Sequence, residues 1–162
     1  MELFFRFLMD TFGYLGAFLL GFLSSFSIFL PTPAFAIIFL EASTRNFDPF
    51  LIALLAGLGA AVGETTGYFA GLGGNILLKK YKQKLEEIRT YFQKYKPSVI
   101  IFLFAFLPLP FDFVGIFCGL TRYPFKNFFG PLLTGKLLKY LLIAFVGYFY
   151  GPEFISWTFR IV

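Results

Sequence analysis

Histidine is absent from the 162 residues, and cysteine occurs once, at Cys118. The first absence removes Ser-His-Asp triads, histidine nucleophiles and His-bearing zinc sites; the second removes a disulfide framework. No metal site is expected, and without histidine the common lipid-phosphatase chemistry has no base, so the chain is not expected to be an enzyme. Charge is scarce as well: 14% of residues are charged against 58% hydrophobic, and 27 are Phe. A soluble domain of this length cannot bury that much apolar surface, and its exposed patches would aggregate. A cleavable leader is not expected either, because Glu2 and Asp10 flank Arg6 and no small-residue cleavage site follows. The stretch Phe4–Leu23 therefore reads as a retained N-terminal helix.

What is present is a series of punctuated apolar runs: Phe12–Leu30, Ala34–Leu40, Phe50–Leu78, Ser98–Leu107, Val114–Leu120 and Phe128–Tyr150. Such spacing predicts an all-α polytopic membrane protein. Two of the breaks are Pro-x-Pro sites, Pro31-Thr32-Pro33 and Pro108-Leu109-Pro110. Two prolines in three residues interrupt a helix, and neither flanking arm reaches the ~20 apolar residues that a span requires. Each site therefore predicts two half-helices meeting at a broken tip, a re-entrant hairpin; a kinked full span is the alternative.

The chain also repeats itself. Phe29-Leu30-Pro31-Thr32-Pro33 matches Phe106-Leu107-Pro108-Leu109-Pro110 at an offset of 77 (31 to 108), and Thr44-Arg45 matches Thr121-Arg122 at the same offset. Gly67-Tyr68-Phe69-Ala70-Gly71 matches Gly147-Tyr148-Phe149-Tyr150-Gly151 at an offset of 80 (67 to 147). Each half reads as hairpin, polar corner and long helix, so one membrane domain over 1–162 is expected to hold repeat 1 at about 24–74 and repeat 2 at about 97–151. Between them, Lys79–Lys96 carries seven Lys/Arg, with Leu78, Tyr81, Leu85, Ile88, Phe92 and Tyr95 at helical spacing. That segment, about 75–96, is expected to be an amphipathic helix in the cytoplasmic interface. Its charge places the N-terminus inside and makes the two repeats inverted, the arrangement that points to a midplane transport site.

Four charges fall at similar depth. Glu64 lies roughly 20 Å from the cytoplasmic end of its helix, and Lys136 and Lys139 about 16–21 Å along theirs on one face. Asp112 sits two residues after Pro110. Glu64 is expected to pair with Lys136 or Lys139, and Asp112 to line the same cavity. A pair that only orients helices, or lysines snorkelling to the surface, are the plainer readings. Gly63, Gly67 and Gly71 recur every four residues and form a packing stripe.

These motifs together resemble the DedA/VTT superfamily. They are Pro31-Thr32-Pro33, Gly63-Glu64-x-x-Gly67-Tyr68-x-x-Gly71, Pro108-Leu109-Pro110-x-Asp112, Gly119-Leu120-x-Arg122-Tyr123 and Gly135-Lys136-x-x-Lys139-Tyr140. The Pro-Leu-Pro-x-Asp form is most similar to archaeal members. The chain departs from bacterial members in carrying Ala34 and Phe35 where a glutamate commonly follows the first Pro-x-Pro. It also carries no charge across Phe104–Leu107, where those members have arginine. The resemblance implies opposed re-entrant hairpins around a polar cavity, and translocation of phospholipid or polyprenyl-phosphate lipid across the cell membrane. Lys136, Lys139 and Arg122 would draw the phosphate-bearing head group, and Glu64 or Asp112 would couple protons, with no cofactor. The expected partners are membrane lipids and not nucleic acid; homo-oligomerisation is left open. A proton- or ion-coupled carrier of a small solute and a non-transporting assembly protein are the alternatives.

Overall fold

The computed structural model describes residues 7–9, 11–26, 34–77, 86–87, 89–90, 92, 94 and 96–161. Six helices run through them: α1 (Tyr14–Phe26), α2 (Ala34–Thr44), α3 (Pro49–Leu77), α4 (Pro97–Phe106), α5 (Asp112–Leu120) and α6 (Phe125–Ile161). No strand occurs among the described residues. Pro31 and Pro33 lie outside them, as does most of the expected amphipathic segment.

Local chemistry sets the ends. The Asp48 carboxylate accepts the Phe50 and Leu51 amides at 2.9 and 3.0 Å, and Pro49 takes the first helical position, where no N–H is needed. Pro97 opens α4 in the same way. The Pro108/Pro110 pair leaves 107–111 non-helical between α4 and α5. Both Thr-Arg corners turn through a left-handed arginine: φ is 59° at Arg45 and 53° at Arg122. The Arg45 amide reaches the Ala42 carbonyl at 3.2 Å, and the Arg122 amide reaches Gly119 at 3.0 Å, so the repeated dipeptide makes the same turn twice.

One sequence expectation is corrected. The N-terminal helix does not run unbroken over Phe4–Leu23: Gly13, at φ 53°, ends a first helical segment and α1 starts at Tyr14. Beyond the apolar run that ends at Tyr150, α6 continues through Pro152. Proline offers no N–H to the Tyr148 carbonyl one turn earlier. The Arg45 guanidinium supplies one instead, at 3.5 Å, while lying 5.1 Å above the Tyr148 ring.

Length divides the helices into two classes. α3 and α6, at 29 and 37 residues, are long and apolar enough to cross a bilayer, whereas α1, α2, α4 and α5 have 9–13 residues. At 1.5 Å per residue the short ones reach only about 14–20 Å, less than a ~30 Å hydrocarbon core. α3 packs against α6; α1 and α5 lie on α3, and α2 and α4 lie on α6. Thus each half's first short helix packs on its own long helix, and its second packs on the long helix of the other half.

Neighbouring residues give the directions. α3 opposes α6, since Gly57 meets Leu137 while Tyr68 stacks on Phe128 at 4.9 Å. α1 runs with α3, from the Tyr14 hydroxyl beside Asp48 to Gly21 against Ala56 and Ala60. α5 also runs with α3, Gly115 facing Glu64 and Gly119 facing Leu72. α2 runs with α6, Phe39 meeting Gly147 and Ser43 meeting Gly151. Glycine is required at the closest crossings: a methyl group at Gly71 would strike the Ile116 carbonyl, and one at Gly119 the Tyr68 carbonyl. Of the expected stripe, Gly71 and Gly67 face α5, and Gly63 is buried one turn before.

The apolar interior is split. One cluster joins α1, α2, the first half of α3 and Tyr140 and Ala144 of α6. The other joins the rest of α3, α4, α5 and Phe128 and Leu132 of α6. Ala60 closes the first and Ala61 opens the second; Leu132 and Tyr140 bracket the same divide on α6.

Candidate functional site

The divide between the two apolar clusters is where the charges lie. Glu64 is the sixteenth residue of α3, about 20 Å from either end. Lys136 projects from α6 at the same level, and its ammonium donates to Glu64 Oε1 in a buried ion pair. The two residues are 9% and 6% exposed, so the pair is withdrawn from any surrounding medium. Lys136 also lies 5.8 Å from the Phe111 ring centroid, a cation–π contact that further holds the ammonium. Glu64 Oε2 is buried and has no hydrogen-bond partner among the described residues.

A polar cavity of about 180 Å³ adjoins the pair. Its walls come from both halves: Ser24, Ser25, Ala34 and Phe35 flank the first interruption, and Leu109, Pro110, Phe111 and Asp112 belong to the second. Glu64, Lys136, Lys139 and Tyr140 complete the lining. Asp112 opens α5, where a carboxylate meets the positive end of the helix dipole. Lys139 is one turn from Lys136 on the same helix face, half-buried, and forms no ion pair or hydrogen bond with any described residue. Tyr140 is buried, and its hydroxyl meets the Ser24 side chain, which in turn donates to the Gly21 carbonyl at 2.9 Å.

Of the residues singled out from the sequence, Glu64, Asp112, Lys136, Lys139 and Pro110 share this cavity. Pro108 borders the adjoining surface trough. Arg122 does not join them: it is exposed at the turn between α5 and α6. Among the described residues, no group of His, Cys, Asp or Glu is arranged to hold a metal ion. Sequence reasoning missed Ser24, Ser25, Tyr140 and the Phe111 ring. The adjacent serines interrupt an otherwise apolar run shortly before Pro31, which was the available signal.

Chemically, the cavity presents one neutralised pair, one unpaired ammonium, one free carboxylate and an orphan carboxylate oxygen. It can bind a polar group and exchange a proton. Cys118 is buried away from the cavity, in the second cluster.

Comparison with known proteins places the chain. Residues 5–149 match the model of the VTT domain. An uncharacterized protein of Methanocaldococcus jannaschii is 26% identical over 149 residues, covering 88% of this chain and 91% of that one. Protein DedA of Escherichia coli strain K12 is 26% identical over 115 residues, 67% of this chain and 52% of DedA. An uncharacterized membrane protein of Mycobacterium tuberculosis is 29% identical over 131 residues, 74% of this chain and 57% of that relative. The chain therefore spans about half the length of the two bacterial relatives. No solved structure matches it.

Proposed function

The chain belongs to the VTT-domain family of DedA, a family of membrane proteins, and from that premise we propose that it moves phosphate-bearing lipids, phospholipid or polyprenyl phosphate, between the leaflets of the cell membrane. The observation that carries this reading is the polar cavity at mid-height of α3 and α6, walled by residues that flank the first interruption and by the second, and holding Lys139, which has no ion pair among the described residues.

In this reading each pair of short helices is a re-entrant hairpin, and the two halves are inverted repeats. The opposite senses of α1 and α2, which run with α3 and α6 respectively, support the first hairpin. In the second, Phe106–Pro108 lies beside Lys139–Ile143 and Phe102 beside Gly135, so α4 follows α6 while α5 follows α3. Non-helical backbone at that depth is tolerated where it is enclosed by protein or lines a wet cavity, which is where Leu109–Phe111 lies. The basic segment 79–96 and the N-terminus would face the cytoplasm under the positive-inside bias. The head group crosses through the cavity while its chains remain outside it. Lys139 attracts the phosphate, and the free oxygen of Glu64, with Asp112, supplies the groups through which proton coupling would act.

A second reading has one observation in its favour. A cavity of about 180 Å³ is below the ~300–1,000 Å³ usual for small-molecule sites, which suits an ion or very small solute. The test is reconstitution in liposomes, with transbilayer movement of fluorescent phospholipid and of a polyprenyl phosphate followed for the parent, Asp112→Asn and Lys136→Ala. Movement by the parent and its loss in both variants is the expected result. No movement of either lipid, with or without a proton gradient, refutes lipid translocation, and gradient-driven solute uptake would then establish the carrier.

A further inference from the structure

Beyond Lys139 the polar cavity passes into an apolar surface groove. A trough of about 350 Å³ is lined by Phe35, Phe106, Leu107, Pro108, Lys139, Leu142 and Ile143. A second, of about 360 Å³, continues it between α2 and α6, lined by Phe35, Ala36, Phe39, Leu142, Ile143 and Val146. Phe35, Leu142 and Ile143 are common to both, so they form one channel, and each trough is within the range of small-molecule sites. Lys139 is the only charged residue in either lining. The groove thus has an ammonium at its inner end and hydrocarbon for the rest of its length.

We propose that this groove seats one hydrocarbon chain of a lipid whose phosphate is held by Lys139 at the cavity mouth. This deepens the lipid reading above and rests on it. Three features commit the occupant. The cation stands without a counter-ion among the described residues, while Lys136 is already satisfied by Glu64. The lining beyond it is apolar and partly exposed at Phe35, Leu107, Leu142 and Val146, which suits a chain arriving sideways from the bilayer. The groove follows α6 from Lys139 to Val146, a rise of about 10 Å, towards the Arg45 corner.

The apolar lining is not repeated in the other half. At the repeat offsets, Phe35 corresponds to Asp112, and Leu142 and Ile143 correspond to Val62 and Gly63. There α5 sits tightly on α3, where Gly71 leaves no room for a methyl group. Among the described residues the seat is therefore one-sided.

Brominated-chain quenching of tryptophan tests this. Two reporters are made in a Trp157→Phe background: Phe39→Trp inside the groove and Phe149→Trp on the exposed face of α6. Each is titrated in detergent with a phospholipid brominated at mid-chain. The groove reporter should quench saturably at low lipid fraction, and the Phe149→Trp control only as lipid replaces detergent. Lys139→Gln should raise the half-quenching lipid fraction of the groove reporter by about tenfold, the loss of one charge-assisted hydrogen bond, and leave the control unmoved. Lys139→Arg should restore it and shows that the reporter protein is folded. Parallel quenching of both reporters, or a groove signal indifferent to Lys139→Gln, overturns the proposal and makes the groove ordinary annular surface. Because binding is read without transport, saturable Lys139-dependent quenching alongside liposomes that move no lipid would keep the seat and remove the translocation reading. The converse would do the reverse.

Discussion

Removing either member of the Glu64–Lys136 pair should cost far more than removing both. Both side chains are more than nine-tenths buried, and the only other contacts described for Lys136 are apolar or aromatic. Lys136→Met leaves a carboxylate with both oxygens unpartnered, since Oε2 has none already. Glu64→Leu leaves an ammonium facing the Phe111 ring. Breaking a buried pair from one side typically costs about 3–5 kcal/mol, whereas replacing both with apolar residues of similar volume is neutral or stabilising. For a chain of this size that is a fall in Tm of about 6–20 °C for each single variant and little change for Glu64→Leu with Lys136→Met. Cys118 provides the assay. It is the one cysteine, fully buried in the second cluster, so a thiol-reactive dye reports unfolding in detergent without labelling the native state. If the double variant loses as much as the two singles together, the pair is not an isolated coupled unit and the reasoning fails. Singles within 1 °C of the parent would show that water or lipid head groups already solvate the site.

Other expectations follow from the packing and turns. Gly71→Leu should destabilise by about 1–3 kcal/mol or more, because the side chain meets the Ile116 backbone, whereas Gly73→Ala has open space and should gain about 0.4–1 kcal/mol in the same thermal assay. Arg122→Gly should raise stability by about 1 kcal/mol through relief of the left-handed backbone and leave lipid movement unchanged, since Arg122 does not line the cavity. Pro152→Ala supplies the missing N–H to Tyr148, so Arg45→Met should cost about 0.5–1.5 kcal/mol in the parent and close to nothing in that background. A cost that persists would assign the role of Arg45 to its stacking on the Tyr148 ring.

The legible part of the fold was the part fixed by covalent chemistry and by the cost of charge. Pro108 and Pro110 break the chain wherever they occur, and the pairing of Glu64 followed from depth along two helices. The choice of Lys136 over Lys139 did not follow: the two share a face, and the difference of one turn is decided by how α6 leans on α3. The start of α1 and the reach of α6 past Tyr150 were not legible, because both depend on distant or backbone events. Gly13 ends the first helical segment by its own left-handed φ, and Pro152 is tolerated because a side chain 107 positions earlier, Arg45, supplies the lost donor. The serines and Tyr140 escaped notice for a different reason. Tyr140 meets Ser24, which donates to the Gly21 carbonyl, and hydropathy does not register a hydroxyl that is already satisfied.

The exchange of second arms between the halves has a consequence for where the cavity can exist. α2 lies on α6 and α5 lies on α3, so neither half packs its second short helix on its own long helix. Repeat 1 alone would leave Phe39 and Ser43 without Gly147 and Gly151, and would leave Glu64 without Lys136. Repeat 2 alone would expose Gly115 and Gly119 along a face that only α3 fits. Among the described residues, the ion pair is thus the one salt bridge across the divide between the two apolar clusters. A protein that required only a stable bundle could replace it with leucine and methionine at no loss. Its place at mid-height of α3 and α6 sets the buried charge beside the cavity that both halves line.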